Sequence, residues 1–365
     1  MTTELQKYAR DGARIELDEA SSTPALYRPY FKTNVYYRPI YLHRTYQLPT
    51  LFPFDHARDK NPCLCLTDPT AQKPWMALAG DVVPDLHLVG AAAGAVCLAR
   101  LRFTSSGEAI DNITDWALAK FTTHYGKAAR ITKDDIFHYV YGVLHNPVYR
   151  TTYAQNLKRE LPRVPLYPDF HQWAGWGKRL MDLHIGYEGV DPWPVTRTDT
   201  PDTKARTAGV SPKVILKSDP EGGTITLDSE TTLAGIPRAA WDYRLGNRSG
   251  LDWILDQHKE KTPKDPTIRE KFNTYRFADH KEKVADLIAR VTRVSVETVE
   301  IVEAMKGPNE HRLRPRPMPG RTDVLHVTRG LRAAAKGSLF MKSLGRGIEH
   351  GSLAYNARRI WAEGT

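Results

Sequence analysis

The sequence lacks the features that would mark export, a membrane span or a familiar catalytic centre. Its opening, MTTELQKYARDGARIELDE, is charged throughout and contains no apolar stretch of the kind a secretory signal requires. Cysteine is scarce: three residues, an odd number, in 365. So few thiols do not make a disulfide framework, and a reducing cytoplasm is the expected compartment. Long hydrophobic runs are missing too. The best candidate, LHLVGAAAGAVCLARL at 86–101, is shorter than the about 20 strongly apolar residues that cross a bilayer. It contains His87 and Arg100 and consists largely of Ala and Gly, so it reads as packed soluble structure with no membrane partner. No H-E-x-x-H, G-x-S-x-G or Walker A sequence occurs, nor a Gly-rich strand–loop–helix for a methyl donor. Accordingly, no catalytic residue, cofactor or metal is expected.

What is present suffices for a folded protein. The hydrophobic share of 41% supports a core, and the length suits one large domain or two ordinary ones. The net charge of +10 favours polyanions, with nucleic acid ahead of an acidic membrane surface. Its distribution is uneven. Residues 308–365 hold eleven Lys and Arg against four Asp and Glu, a surplus of seven that leaves three for residues 1–307. The body is therefore only mildly basic.

The predicted fold class is α+β, with a β-rich N-terminal part, a helical middle, a β-hairpin, C-terminal helices and a basic tail. After an extension over 1–23, the segment 24–115 is rich in Tyr, Pro, Val and Leu, and runs such as VYYRPIYL and CLCLTD read as strands. Helical period begins at 132. Thr132 with Asp135 forms a capping box, and Ile136, Tyr139, Val140, Val143 and Leu144 follow at helix spacing. Asn146-Pro147 ends that helix and starts another, expected to run to Pro162. A third amphipathic stretch carries Phe170, Trp173, Leu180 and Leu183, which closes a subdomain over 24–190. Residues 191–211 read as a linker or loop. The next unit, 212–307, opens with Val214/Leu216 and Ile225/Leu227 flanking SDPEGG, a hairpin in which Ile215 points outward. Ser249 with Asp252 caps another helix. Residues 280–305 form one or two helices, with Ser295 as an internal cap. The tail 308–365 is Arg-, Pro- and Gly-rich and reads as a disordered extension or a DNA-binding arm; within it, 330–344 has the pattern of a basic amphipathic helix.

Several motifs invite chemistry, and each has a plainer reading. Asn146-Pro147-Val148-Tyr149 resembles the Asn-Pro-Pro-Tyr motif of amino-methyltransferases, but the second proline is missing and the setting is a helix break; it reads as an N-cap. Cys63-x-Cys65, with His43 and His56 upstream, has the wrong spacing for zinc, and Cys97 stands alone, so buried non-ligand cysteines are expected. The Asp134-Asp135 pair is explained by a helix N-terminus. The stretch 27–47, YRPYFKTNVYYRPIYLHRTYQ, interleaves Arg28, Lys32, Arg38 and Arg44 with tyrosines. It is either a DNA-facing surface or a packed scaffold with solvated basic groups.

A set of phrases in order carries a resemblance to a family. They include YRPYFKTNVYY, YQLPTLFP, VPDLHL, DNITDWAL and ITKDDIFHYVYGVLHNPVYR, then YAQNLKRELPRVPL, GKRLMDLHIGYE, GIPRAAWDYRLGNRSGLDWILDQ and VADLIARVTRVSVETVEIV. Over about residues 24–307 the chain resembles the C-terminal target-recognition (specificity) domain of bacterial type ISP restriction–modification enzymes. These are long polypeptides with nuclease, helicase-like ATPase, coupler and N6-adenine methyltransferase parts, and they act in phage defence. With only 23 residues before Pro24, the resemblance implies DNA recognition without catalysis in this chain, as a split subunit, a remnant or a fragment. The implied partners are duplex DNA and a methyltransferase/helicase polypeptide. DNA-contact candidates, chosen by chemistry, are Arg28, Lys32, Arg38, Arg44 and Gln47, with Arg244, Asn247 and Arg248 near the Gly246-Asn247 turn. Two other functions remain open at this point: a module that docks onto a methyltransferase, and a small adenine methyltransferase using NPVY.

Overall fold

A strand covered on both faces needs apolar side chains at every position rather than at alternate ones. Cys63–Thr67, with the sequence CLCLT, is such a strand and is buried along its whole length. In the computed structural model it is the centre of an antiparallel sheet, between Ala77–Gly80 and Ala95–Ala99. Cys63 and Cys65 face one hydrophobic core, and Leu64 and Leu66 face the other. The structure describes residues 3–12, 16, 18–42, 45–56, 59–69, 71–91, 93–267, 269–270, 275–306 and 324–326.

The α+β class expected from the sequence is the class observed. The second core is built by Asp115–Tyr125, Lys133–His145 and Phe170–Ile185. The Thr132–Asp135 capping box is present in both directions, and Ile136, Tyr139, Val140, Val143 and Leu144 are all buried. Lys133–His145 and Phe170–Ile185 cross at two glycines. A Cβ on Gly177 would lie 1.8 Å from the His138 carbonyl oxygen, and one on Gly142 would lie 2.6 Å from that of Trp173. Only glycine permits this approach. The helix expected from Pro147 to Pro162 is broken instead into Pro147–Thr152 and Ala154–Leu157, and the chain then enters the short strand Arg163–Pro165.

The first core is shared by parts of the chain far apart in sequence. Ser22–Arg28 pairs antiparallel with Phe31–Tyr36 and parallel with Val83–Pro84. Leu26 and Tyr30 from this region pack into the same core as Ile225, Trp241 and Leu251, and as Ile288 and Val291 of the last helix. Residues 191–211 are not a plain linker. Thr196–Asp199 is the edge strand of a four-stranded antiparallel sheet, and Thr203–Ala208 is a helix capped by Asp202. The hairpin Val214–Asp219/Thr224–Asp228 forms as expected, with Leu216, Ile225 and Leu227 buried and Ile215 42% exposed. It carries a bulge: Val214 opposes Asp228 but Lys217 opposes Thr226, so one strand holds an extra residue and Leu216 takes a positive φ of 46°.

Phe277–Ala304 is one unbroken helix of 28 residues. Ser295 is buried inside it and is not a cap; the apolar stripe continues past it through Val294 and Val296, so nothing ends the helix there. In the 86–101 segment the ordered strand is Ala95–Ala99, and among the described residues no helix is long and apolar enough to cross a membrane. Of the basic tail, Val324–His326 forms a strand antiparallel to Arg163–Pro165. The remaining tail residues, including 330–344, lie outside the described residues.

Candidate nucleic-acid interface

Arg28 ends the first strand of a tight hairpin whose turn is Pro29-Tyr30, with Tyr30 at a φ of +56°. The turn faces inward. The Tyr30 ring packs edge-on against Tyr187, 5.0 Å between centroids, and would touch any side chain placed at Gly250. Arg28 is drawn in with it. Its Nη1 donates to Asp85 Oδ1 at 3.2 Å, with the two side chains only 10% and 9% exposed, and its guanidinium lies 3.9 Å from the Tyr27 ring centroid. Burial raises the Asp85 carboxyl above its usual range, and the Arg28 charge opposes that rise. Arg28 is thus turned away from solvent.

The other N-terminal candidates stand apart from one another. Lys32 pairs with Glu188 at 2.6 Å beside the Tyr187 ring. Arg38 pairs with Asp18 at 2.9 Å and Asp55 at 3.5 Å. Hydrogen bonds from Arg38, Ser21 and the Ala20 amide hold the Asp18 carboxyl below its usual value. Arg38 also lines an open cleft of about 670 Å³ with Lys7, Tyr8, Tyr36 and Tyr41. Gln47 precedes the short helix Leu48–Leu51, half-exposed, its side chain making no cap bond. Arg44 lies outside the described residues.

The C-terminal candidates are brought together. Arg244–Leu245 and Arg248–Ser249 form a two-residue hairpin over Gly246-Asn247. Gly246 has a φ of +67°, the positive first position of a II′ turn, and it rests against Val89. Trp253 anchors the hairpin from below by donating Nε1–H to the Leu245 carbonyl at 2.9 Å. Arg244 and Asn247 are exposed, and Arg244 Nη2 donates to the Asn247 carbonyl at 2.5 Å. Arg248 pairs with Asp256 at 2.7 Å and lies over the Trp253 ring. The segment between Asp85 and Val89 links the two regions, since Asp85 holds Arg28 and Val89 supports Gly246.

The NPVY sequence is built as a helix start. Asn146 Oδ1 accepts from the amides of Val148 at 2.8 Å and Tyr149 at 3.3 Å. Tyr149 is 1% exposed, with its hydroxyl donating to the Arg163 carbonyl. A ring so placed has no face for a flipped base.

Lys7 and Tyr8 lie in the 1–23 segment, about 30 residues from Arg38, and no local pattern ties them to it. Nor does any local pattern mark Asp85 or Glu188, which lie 57 and 156 residues from their partners.

The family Type ISP C-terminal specificity domain matches residues 1–287. The chain belongs to this family. The match begins ahead of the resemblance read over 24–307, and it ends within the last helix. Three solved structures are similar to this specificity domain. A DrdV–DNA complex solved by cryo-EM matches with a TM-score of 0.77 and 47% identity, over 85% of this chain and 30% of that one. A nuclease-deletion mutant of the Type ISP restriction–modification enzyme LlaGI, in complex with a DNA substrate mimic, gives 0.63 and 26%, over 84% and 26%. The ATP-dependent Type ISP enzyme LlaBIII bound to DNA gives 0.67 at 23% identity, a likeness of fold, over 84% and 20%. This chain therefore spans less than a third of each of those proteins. No curated protein matches it.

Proposed function

We propose that this specificity domain recognises a defined sequence in duplex DNA for a restriction–modification system, and that the chemistry is supplied by other parts of that system. The observation that carries this reading is membership of the specificity-domain family, joined to folds solved on DNA. The Gly246-Asn247 hairpin supports it locally. The exposed guanidinium of Arg244 and the exposed amide of Asn247 stand on one anchored turn, with Arg248 half-buried beside them against Trp253 and Asp256. Guanidinium and amide are the groups that read guanine and adenine edges in the major groove. Lys32, Arg38 and Gln47 fit better as backbone-positioning contacts, with Lys7 and Tyr8 beside Arg38. Arg28 serves from behind, by fixing the 85–89 segment that supports the hairpin. Recognition of this kind calls on no cofactor and on no catalytic residue. The proposed setting is the cytoplasm.

Selection of bound duplexes from a random pool tests the reading. The chain enriches a single motif, and Asn247→Ala or Arg244→Ala relaxes one position of it by about 1–3 kcal/mol. Failure to enrich any motif, alone or with a methyltransferase partner, refutes recognition. Enrichment only with the partner would favour the docking module, a reading supported by the small charge surplus of residues 1–307.

A further inference from the structure

Strand pairing gathers all three cysteines of the chain at one place. Cys63 and Cys65 are two apart in one strand and share a face. Cys65 stands directly opposite Cys97 on the neighbouring strand. The three sulfurs lie within 4.8 Å of one another, and Cys63 Sγ is 4.0 Å from Cys65 Sγ. Cα atoms two apart on an extended strand are separated by about 6.6 Å. The two thiols have therefore turned towards each other rather than standing parallel.

We propose that Cys63, Cys65 and Cys97 form a three-sulfur site for one soft d10 cation, copper(I) in preference to zinc. A metal held in a plane by three sulfurs at about 2.3 Å requires them about 4.0 Å apart. The observed spacing needs only a small contraction to meet this. Structural zinc takes four ligands. Among the described residues no His, Asp or Glu joins the three sulfurs. The surroundings are apolar: Cys63 and Cys65 belong to the first hydrophobic core, and a Cβ on Gly80 would meet Leu26 at 3.2 Å and Cys63 Sγ at 4.0 Å. The hydroxyl of nearby Tyr37 is already donated to the Phe52 carbonyl at 3.1 Å. Thiolate ligands with no oxygen or nitrogen donor suit copper(I). Cys63 and Cys65 are fully buried and Cys97 is less so. Binding displaces thiol protons to solvent and couples loading to folding. Buried non-ligand cysteines are expected from a spacing wrong for zinc and from Cys97 standing alone in sequence; the pairing of two strands removes the second ground.

The test is the full chain expressed with copper supplementation and purified under argon without added thiols. Elemental analysis should find about one copper per chain, and X-ray absorption a shell of three sulfurs at about 2.3 Å. Cys65→Ser and Cys97→Ser should each keep the far-ultraviolet circular dichroism and lose at least about tenfold in copper. The wild-type absorption spectrum decides the matter even where a variant fails to fold. Copper below about a tenth of an equivalent, or a shell of nitrogen and oxygen, overturns the site. Zinc held with a fourth, non-sulfur ligand overturns the choice of ion.

Discussion

The Arg28 guanidinium lies 3.2 Å from the Asp85 carboxylate in the interior, although Arg28 sits in a stretch that interleaves basic residues with tyrosines. Removing one partner of a buried pair leaves the other charge uncompensated. Arg28→Ala should therefore cost about 3–5 kcal/mol of stability, read from the urea midpoint. The set of bound DNA sequences should stay the same. A variant with unchanged stability and weaker DNA binding would restore Arg28 to the DNA-facing surface.

Two glycines in one helix should respond in opposite directions. Gly177→Ala forces a methyl against the His138 carbonyl and should destabilise by about 3 kcal/mol or more. Gly175 is exposed and has open space around its Cβ position. Gly175→Ala should stabilise by about 0.5–1 kcal/mol, because alanine loses less backbone entropy in a helix. Equal effects from thermal melts would show that the two helices cross elsewhere.

His184 should make stability fall on mild acidification. Its Nδ1 is 2.6 Å from the Tyr141 hydroxyl and its Nε2 is 2.9 Å from Thr298 Oγ1. Burial first, and the Arg150 charge second, push the imidazole down to about 3. The unfolded chain takes up that proton near pH 6.5 while the folded chain does not. The contribution of His184 is thus complete above pH 6.5 and is lost as pH falls from there towards 3, by about 1.4 kcal/mol per pH unit. His145, held down by the same burial, adds to the slope. Urea midpoints at pH 7, 6 and 5 measure it, and His184→Asn should flatten the dependence. A wild-type slope no steeper than that of the variant would refute the assignment.

Asn146→Ala should lower stability by about 1 kcal/mol through loss of the helix cap. Calorimetry with S-adenosylmethionine should show no binding by either form. Heat from saturable binding in the wild type, abolished in the variant, would revive the methyltransferase reading of NPVY.

Much of this protein is legible in short windows of sequence. Thr132 and Asp135 satisfy each other across one turn, Asn146 caps the residues that follow it, and CLCLT needs no partner to be read as a strand. Such features depend on neighbours within a few residues, so the sequence by itself determined them, together with the α+β class. The tertiary structure alone decided which basic groups turn inward and which thiols meet. The ion pairs of Arg28 and Lys32 join residues 57 and 156 apart, and Cys97 reaches Cys65 only through the order of strands. No local pattern encodes those distances, because they follow from how separate elements share a core. The same packing leaves Arg244 and Asn247 exposed on the anchored hairpin.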